Sequence, residues 1–175
     1  SMSMELIGNE HIEEFYGEEE SIRARREHLE GIISIFPWIA TVDAFQHWIY
    51  SHPGHTRDER DANWNALRAR FGGDIDWSGY ELAHTKMWHR QLHIFLIPFY
   101  YIEYGIAQLG ALGVWRNAAS DATEALAAYR RSLALGGSVP LPELFEAANL
   151  KFDFGPKTVG PLVDAVMEAI DVEEG

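Results

Sequence analysis

The 175-residue sequence contains no cysteine. Disulfides and thiolate metal sites are therefore excluded, and a reducing cytoplasm is the compartment this fits. Basic residues are scarce: 14 Lys and Arg stand against 27 Asp and Glu, a formal net charge of −13. A surface of that sign repels phosphate, so neither nucleic acid nor an anionic membrane is expected as a partner. Long apolar runs are missing too. The stretch Leu92 to Tyr104 is broken by Pro98 and Glu103, well short of the roughly 20 apolar residues that span a bilayer. The opening Ser1-Met2-Ser3-Met4-Glu5 has neither the basic region nor the apolar run of a secretory signal. No segment alternates cleanly enough to read as a strand, and there is no internal repeat or low-complexity tract.

What is present suits a folded helical protein. Hydrophobic residues make up 47% and aromatic residues 13%, enough for a core in a chain of this length. With no compositional shift that marks a linker, we expect residues 1–175 to form one all-α domain. An acidic start at Glu18, Glu19 and Glu20 opens a helix to about Ile35, its apolar stripe formed by Ile22, Leu29, Ile32, Ile33 and Phe36. Pro37 is expected to end or kink it, with Thr41 or Asp43 capping a second helix that stops at Ser51-His52-Pro53-Gly54. Thr56 or Asp58 opens a helix to about Arg70, closed by Gly72-Gly73. A broken helical stretch from Gly79 to Leu92 follows. Pro98 reads as a first helical position, with Phe99 to Asn117 behind it. Ser120 or Asp121 caps a helix to Leu135, Pro140 to Glu143 starts a short one, and the last runs from Pro161 to about Ile170.

Three groups of residues could carry chemistry. In His89-Arg90-Gln91-Leu92-His93 two imidazoles are spaced i, i+4, which on one helix face suits a metal. The peptidase pattern His-Glu-x-x-His is nevertheless absent, and Arg90 repels a divalent cation. The pair is open to three readings: a buried and a surface histidine, a metal pair, or a non-metal catalytic role for His93. In His52-Pro53-Gly54-His55-Thr56 a tight loop carries two imidazoles, for a metal, a peptide or solvent. In Pro98-Phe99-Tyr100-Tyr101-Ile102-Glu103-Tyr104-Gly105 three tyrosines crowd the start of a helix, with Tyr100 and Tyr104 on one face. Phenols donate hydrogen bonds to developing oxyanions, and they also serve as aromatic core with their hydroxyls at the rim. Gly105, Gly110 and Gly113 in the same helix suggest close approach of a neighbouring element.

The stretch from Trp88 to Phe95, followed by Pro98 to Leu112, resembles the C-terminal signature of the oligoendopeptidase F family. Ala40 to Tyr50 with Pro53-Gly54-His55-Thr56 is similar to the family's next block upstream, and Ser1 to Leu6 is similar to the helix carrying its third zinc ligand. The resemblance implies a cytoplasmic zinc peptidase acting on short peptides, and here the irregular multi-helix C-terminal lobe of its zincin-like fold. It implies that His93 binds substrate, that Tyr104 leads oxyanion stabilisation with Tyr100 or Tyr101 beside it, that His55 is a further substrate contact, and that Glu5 supports the metal site from behind. With no His-Glu-x-x-His in the sequence, zinc is expected in a longer parent protein and not in this piece, which by itself would be inactive. One face should then expose apolar surface that the missing N-terminal part would cover, with homodimerisation through that face as a consequence. The competing reading is a non-catalytic helical domain that captures peptides or a partner protein.

Overall fold

The computed structural model describes residues 1–173. Among them are nine α-helices and no strand. The helices are α1 (Met2–Gly8), α2 (Glu18–Ser51), α3 (Arg57–Phe71), α4 (Glu81–Thr85), α5 (His93–Leu96), α6 (Ile102–Ser120), α7 (Ala122–Leu135), α8 (Leu141–Ala147) and α9 (Pro156–Glu173). Short 3-10 turns fill Asn9–Glu14 and Met87–Arg90. The chain divides into two compact units: Ser1–Ile33 together with Ile106–Gly175, and the continuous stretch Ser34–Gly105.

Three expected helix boundaries are corrected. Pro37 does not end the first long helix; α2 runs through it for 34 residues. A mid-helix proline removes one backbone hydrogen bond and costs about 3 kcal/mol. Against that, Ile39, Val42 and Phe45 just beyond it are at most 2% exposed, and burial of each contributes roughly 1.5–3 kcal/mol. Packing therefore outweighs the breaker. Thr41, expected as a cap, instead donates its hydroxyl to the Pro37 carbonyl at 2.8 Å inside the helix. The second correction is at α6, which starts at Ile102 and not at Phe99, because Phe99 turns into the left-handed region with φ +61°. The third is at α9, which begins at Pro156, so that Pro161 lies inside it.

In the first unit Leu6, Leu29, Ile32, Leu112 and Val166 are buried. Arg25 joins its ends, donating to Glu173 at 2.7 Å and to Glu13 at 3.1 Å. The glycines of α6 do allow close approach: a Cβ at Gly113 would lie 2.7 Å from the Leu150 side chain. In the second unit the core is aromatic. Trp64, fully buried, meets Trp38 edge-on at 5.7 Å and Phe45 at 5.1 Å, and Phe45 meets Trp88 at 5.5 Å. The Trp64 indole N–H donates to the His84 carbonyl at 3.1 Å, giving its one polar atom a partner. α3 enters this core through a capping box, in which Thr56 and Glu59 satisfy each other's backbone N–H.

Large apolar side chains of this unit also face solvent. Leu82, Leu92 and Leu96 are each at least 63% exposed.

Candidate active site

The residues from Gln91 to Tyr104 form a short helix, a tight turn and the first turn of α6. Gln91 has ψ 87°, which stops the 3-10 turn before it and lets α5 begin two residues later at His93. His89 and His93 therefore do not share a helix face, contrary to the i, i+4 expectation. His89 packs edge-on against Trp88 at 4.0 Å. After α5 the chain reverses at Pro98 and Phe99. The positive φ at Phe99 is unfavourable for a bulky residue. Its ring is held by neighbours on α2, with centroids 4.9 Å from His47 and 5.1 Å from Tyr50. The turn delivers Tyr100, Tyr101 and Tyr104 to the imidazole of His93.

His93 Nε2 lies 3.2 Å from the Tyr104 hydroxyl. The rings of Tyr101 and Tyr104 meet the imidazole edge-on at 5.0 and 5.6 Å, and the Tyr100 ring lies parallel to it at 6.2 Å. Tyr100 and Tyr104 are 5.8 Å apart, edge to face. The three phenols differ in access. Tyr101 is 9% exposed and belongs to the aromatic core, Tyr104 is half-buried and Tyr100 is exposed. Burial pushes the Tyr101 hydroxyl above its ordinary value, with hydrogen bonding from Trp38 working against that shift.

Behind His93 lies a chain of contacts that pattern reading missed. The Trp38 indole N–H donates to Gln91 Oε1 at 3.2 Å, and Gln91 Nε2 lies 2.6 Å from His93 Nδ1. Trp38 is fixed in turn by the Trp64 edge and by two guanidinium groups over its ring, Arg90 at 5.1 Å and Arg68 at 5.4 Å. Burial, and then the charge of Arg90, push the Arg68 guanidinium below its ordinary value. Gln91 sits two residues before His93, between the two histidines of the i, i+4 pair. No local pattern marks it, because its partner Trp38 is 53 residues away.

His55 and His52 lie apart from this cluster, and Glu5 belongs to the other unit. His55 uses both ring nitrogens within its own loop and the first turns of α3: Nδ1 lies 2.5 Å from the His52 carbonyl and Nε2 accepts from Arg60 at 2.8 Å. Its ring neighbour is Trp48 at 5.1 Å, ten residues beyond Trp38 on α2 and so roughly 15 Å further along the helix. His52 turns back on the Trp48 carbonyl at 2.9 Å. Glu5 lies on α1 in the first unit, exposed, with a carboxylate oxygen 3.9 Å from His28 Nε2. Among the described residues no three His, Asp or Glu side chains come together as a metal would require. The described residues therefore do not by themselves make up a full zinc ligand set. Two cavities of about 280 and 380 Å³ are lined by residues of the first unit and include none of the candidate residues.

The same fold recurs in solved peptidase structures. A protein assigned as an oligoendopeptidase F shares 34% identity, with a TM-score of 0.85 over 98% of this chain and 30% of its own. PZ peptidase A, solved with an inhibitor, shares 31% identity, with a TM-score of 0.90 over 98% of this chain and 31% of its own. A Bacillus anthracis protein assigned as an oligoendopeptidase F shares 28%, with a TM-score of 0.76 over 98% of this chain and 27% of its own. No curated protein sequence matches. Fold and sequence identity together make the chain similar to a helical part of these peptidase structures. Residues 1–155 match the model of peptidase family M3, and the chain belongs to that family. It spans less than a third of the length of these solved relatives.

Proposed function

We propose that this chain is the substrate-facing helical lobe of a zinc-dependent oligopeptidase that hydrolyses short peptides. His93 and Tyr104 bind the peptide carbonyl. As a nucleophile adds to the carbonyl carbon, the Tyr104 hydroxyl donates its hydrogen bond to the oxygen that gains charge, an interaction stronger in the transition state than in the ground state. Tyr100, exposed beside them, is the second donor. Tyr101 shapes the pocket around the imidazole from within the core. The zinc of the reaction is held by residues outside these 175, Glu5 lends support to that site, and the isolated chain does not cleave peptides. The cytoplasm suits a cysteine-free peptidase of this kind.

The observation that carries this reading is the 3.2 Å contact between His93 Nε2 and the Tyr104 hydroxyl, on side chains eleven residues apart that remain partly open to solvent. The test is cleavage of a quenched fluorescent peptide by the longer protein that contains this lobe. Tyr104→Phe and His93→Ala are each expected to lower kcat by about 10²–10³-fold, with smaller changes in KM, and a chelator should abolish turnover. Unchanged kcat in both variants would remove these residues from the mechanism.

A further inference from the structure

The geometry points to Gln91, held by Trp38, as the residue that fixes His93 in its Nε2–H tautomer and so leaves the Tyr104 hydroxyl hydrogen free for a bound peptide oxygen. The argument follows from which groups can donate. An indole N–H only donates. It faces Gln91 Oε1 at 3.2 Å, and it can only offer a hydrogen there. The carboxamide is thereby oriented, with its oxygen toward Trp38 and its nitrogen toward His93. An amide nitrogen also only donates, so His93 Nδ1, 2.6 Å away, must present its lone pair. In a neutral imidazole the proton then sits on Nε2. That N–H points at Tyr104 across 3.2 Å. The phenol oxygen accepts, and its own hydrogen must go elsewhere. In the opposite tautomer Tyr104 would donate to Nε2, and its one hydrogen would be spent within the protein.

Gln91 and Trp38 are thus positioning residues. They touch no substrate atom and act by setting a proton on His93, as outer partners of catalytic groups do elsewhere. The aromatic core of the second unit keeps the indole in place, so the tautomer is tied to the packing of Trp38 against Trp64. This inference rests on the oxyanion role proposed for Tyr104.

The proton can be observed directly. Two-bond proton–nitrogen correlation spectra of the chain labelled with ¹⁵N-histidine, at about pH 8 where imidazoles are neutral, report the tautomer of each ring; a His93→Gln sample assigns the signal. Wild type is expected to show a pyridine-like Nδ1 and a pyrrole-like Nε2. Gln91→Glu keeps the shape and the bond from Trp38 but offers Nδ1 a carboxylate oxygen, which moves the proton to Nδ1. Trp38→Phe lets the carboxamide rotate, and mixed tautomers should appear. A wild-type Nδ1–H pattern, or a Gln91→Glu spectrum unchanged from wild type, overturns the inference. If Gln91→Glu does not fold, Gln91→Ala replaces it, and a retained pure Nε2–H pattern in that variant overturns the inference equally.

In the longer enzyme Gln91→Glu should lower kcat roughly tenfold with little change in KM, a split that a purely structural role would not produce in an isosteric variant that keeps both contacts. If the tautomer shifts while cleavage is indifferent to both Gln91→Glu and Tyr104→Phe, the relay stands and the proposed function fails. If Tyr104→Phe is inactive while the tautomer ignores Gln91, the relay fails and the function stands.

Discussion

Three hydrogen-bond donors converge on Asp153: the Thr158 hydroxyl, the Lys151 ammonium at 3.1 Å and the Gly155 N–H at 3.2 Å. They favour the ionised form and hold the carboxyl at about 2, below its ordinary 3.8, with Thr158 the largest cause. A carboxyl depressed in the folded state adds stability that is complete above its unfolded value and is lost as pH falls through its folded value. Asp153→Asn should therefore lower the thermal midpoint at about pH 6, and the gap to wild type should close between about pH 4 and pH 2. Equal gaps across that range would show that the charge is not the source. At this same scale the family resemblance singled out His93 and Tyr104, while spacing alone left the phenols open as aromatic core; the two side chains do meet. Gln91 and Trp38 were not legible in the sequence. They lie 53 residues apart, and their pairing is set by tertiary packing that no local pattern encodes.

Helix by helix, local signals held at the caps of α3 and α7 and at the proline start of α8, and failed at Pro37, Thr41 and Pro161. α3 begins at the capping box of Thr56 and Glu59, with Glu59 N–H reaching the Thr56 hydroxyl at 3.2 Å. Thr56→Ala should cost about 1 kcal/mol, read as a lower urea midpoint at unchanged slope; a slope change would mean that more than the cap was altered. Asp121 caps α7 in the same manner, accepting from the Glu124 N–H at 3.0 Å. Both starts were readable because the capping partner is three residues away. Pro37 was read as ending or kinking a helix and Pro161 as starting one, and both lie inside helices, since burial of the flanking turns is invisible to a one-residue rule. The glycines of α6 fall between these cases: their presence signalled close approach, but not which side chain fills the space. Leu150 does so at Gly113. Gly113→Val should destabilise by about 1–3 kcal/mol through overpacking, measurable by the same denaturation, and a neutral result would mean that Leu150 moves aside without loss.

For the whole molecule the dominant facts are charge and chain order. A net charge of −13 on 175 residues works against compactness by self-repulsion. Monovalent salt screens that term, so the thermal midpoint should rise between about 10 mM and 300 mM sodium chloride; a fall would show that specific ion pairs such as Arg25 with Glu173 matter more than the overall field. No helix among the described residues is long and apolar enough to cross a membrane. The all-α class was legible from helical periodicity and the lack of alternation. The division into two units was not, because α2 and α6 each contribute residues to both, and nothing in composition marks where one ends. That division bears on birth order at the ribosome. Residues 34–105 emerge as one uninterrupted piece, while residues 1–33 share a unit with residues that are translated from 106 onward. A nascent chain can thus bury Trp64 and seat Trp38 before residues 1–33 meet the later part of their own unit. Tyr104 is the penultimate residue of that early piece, so the imidazole–phenol pair would be assembled as its translation ends, ahead of the unit that brackets it in sequence.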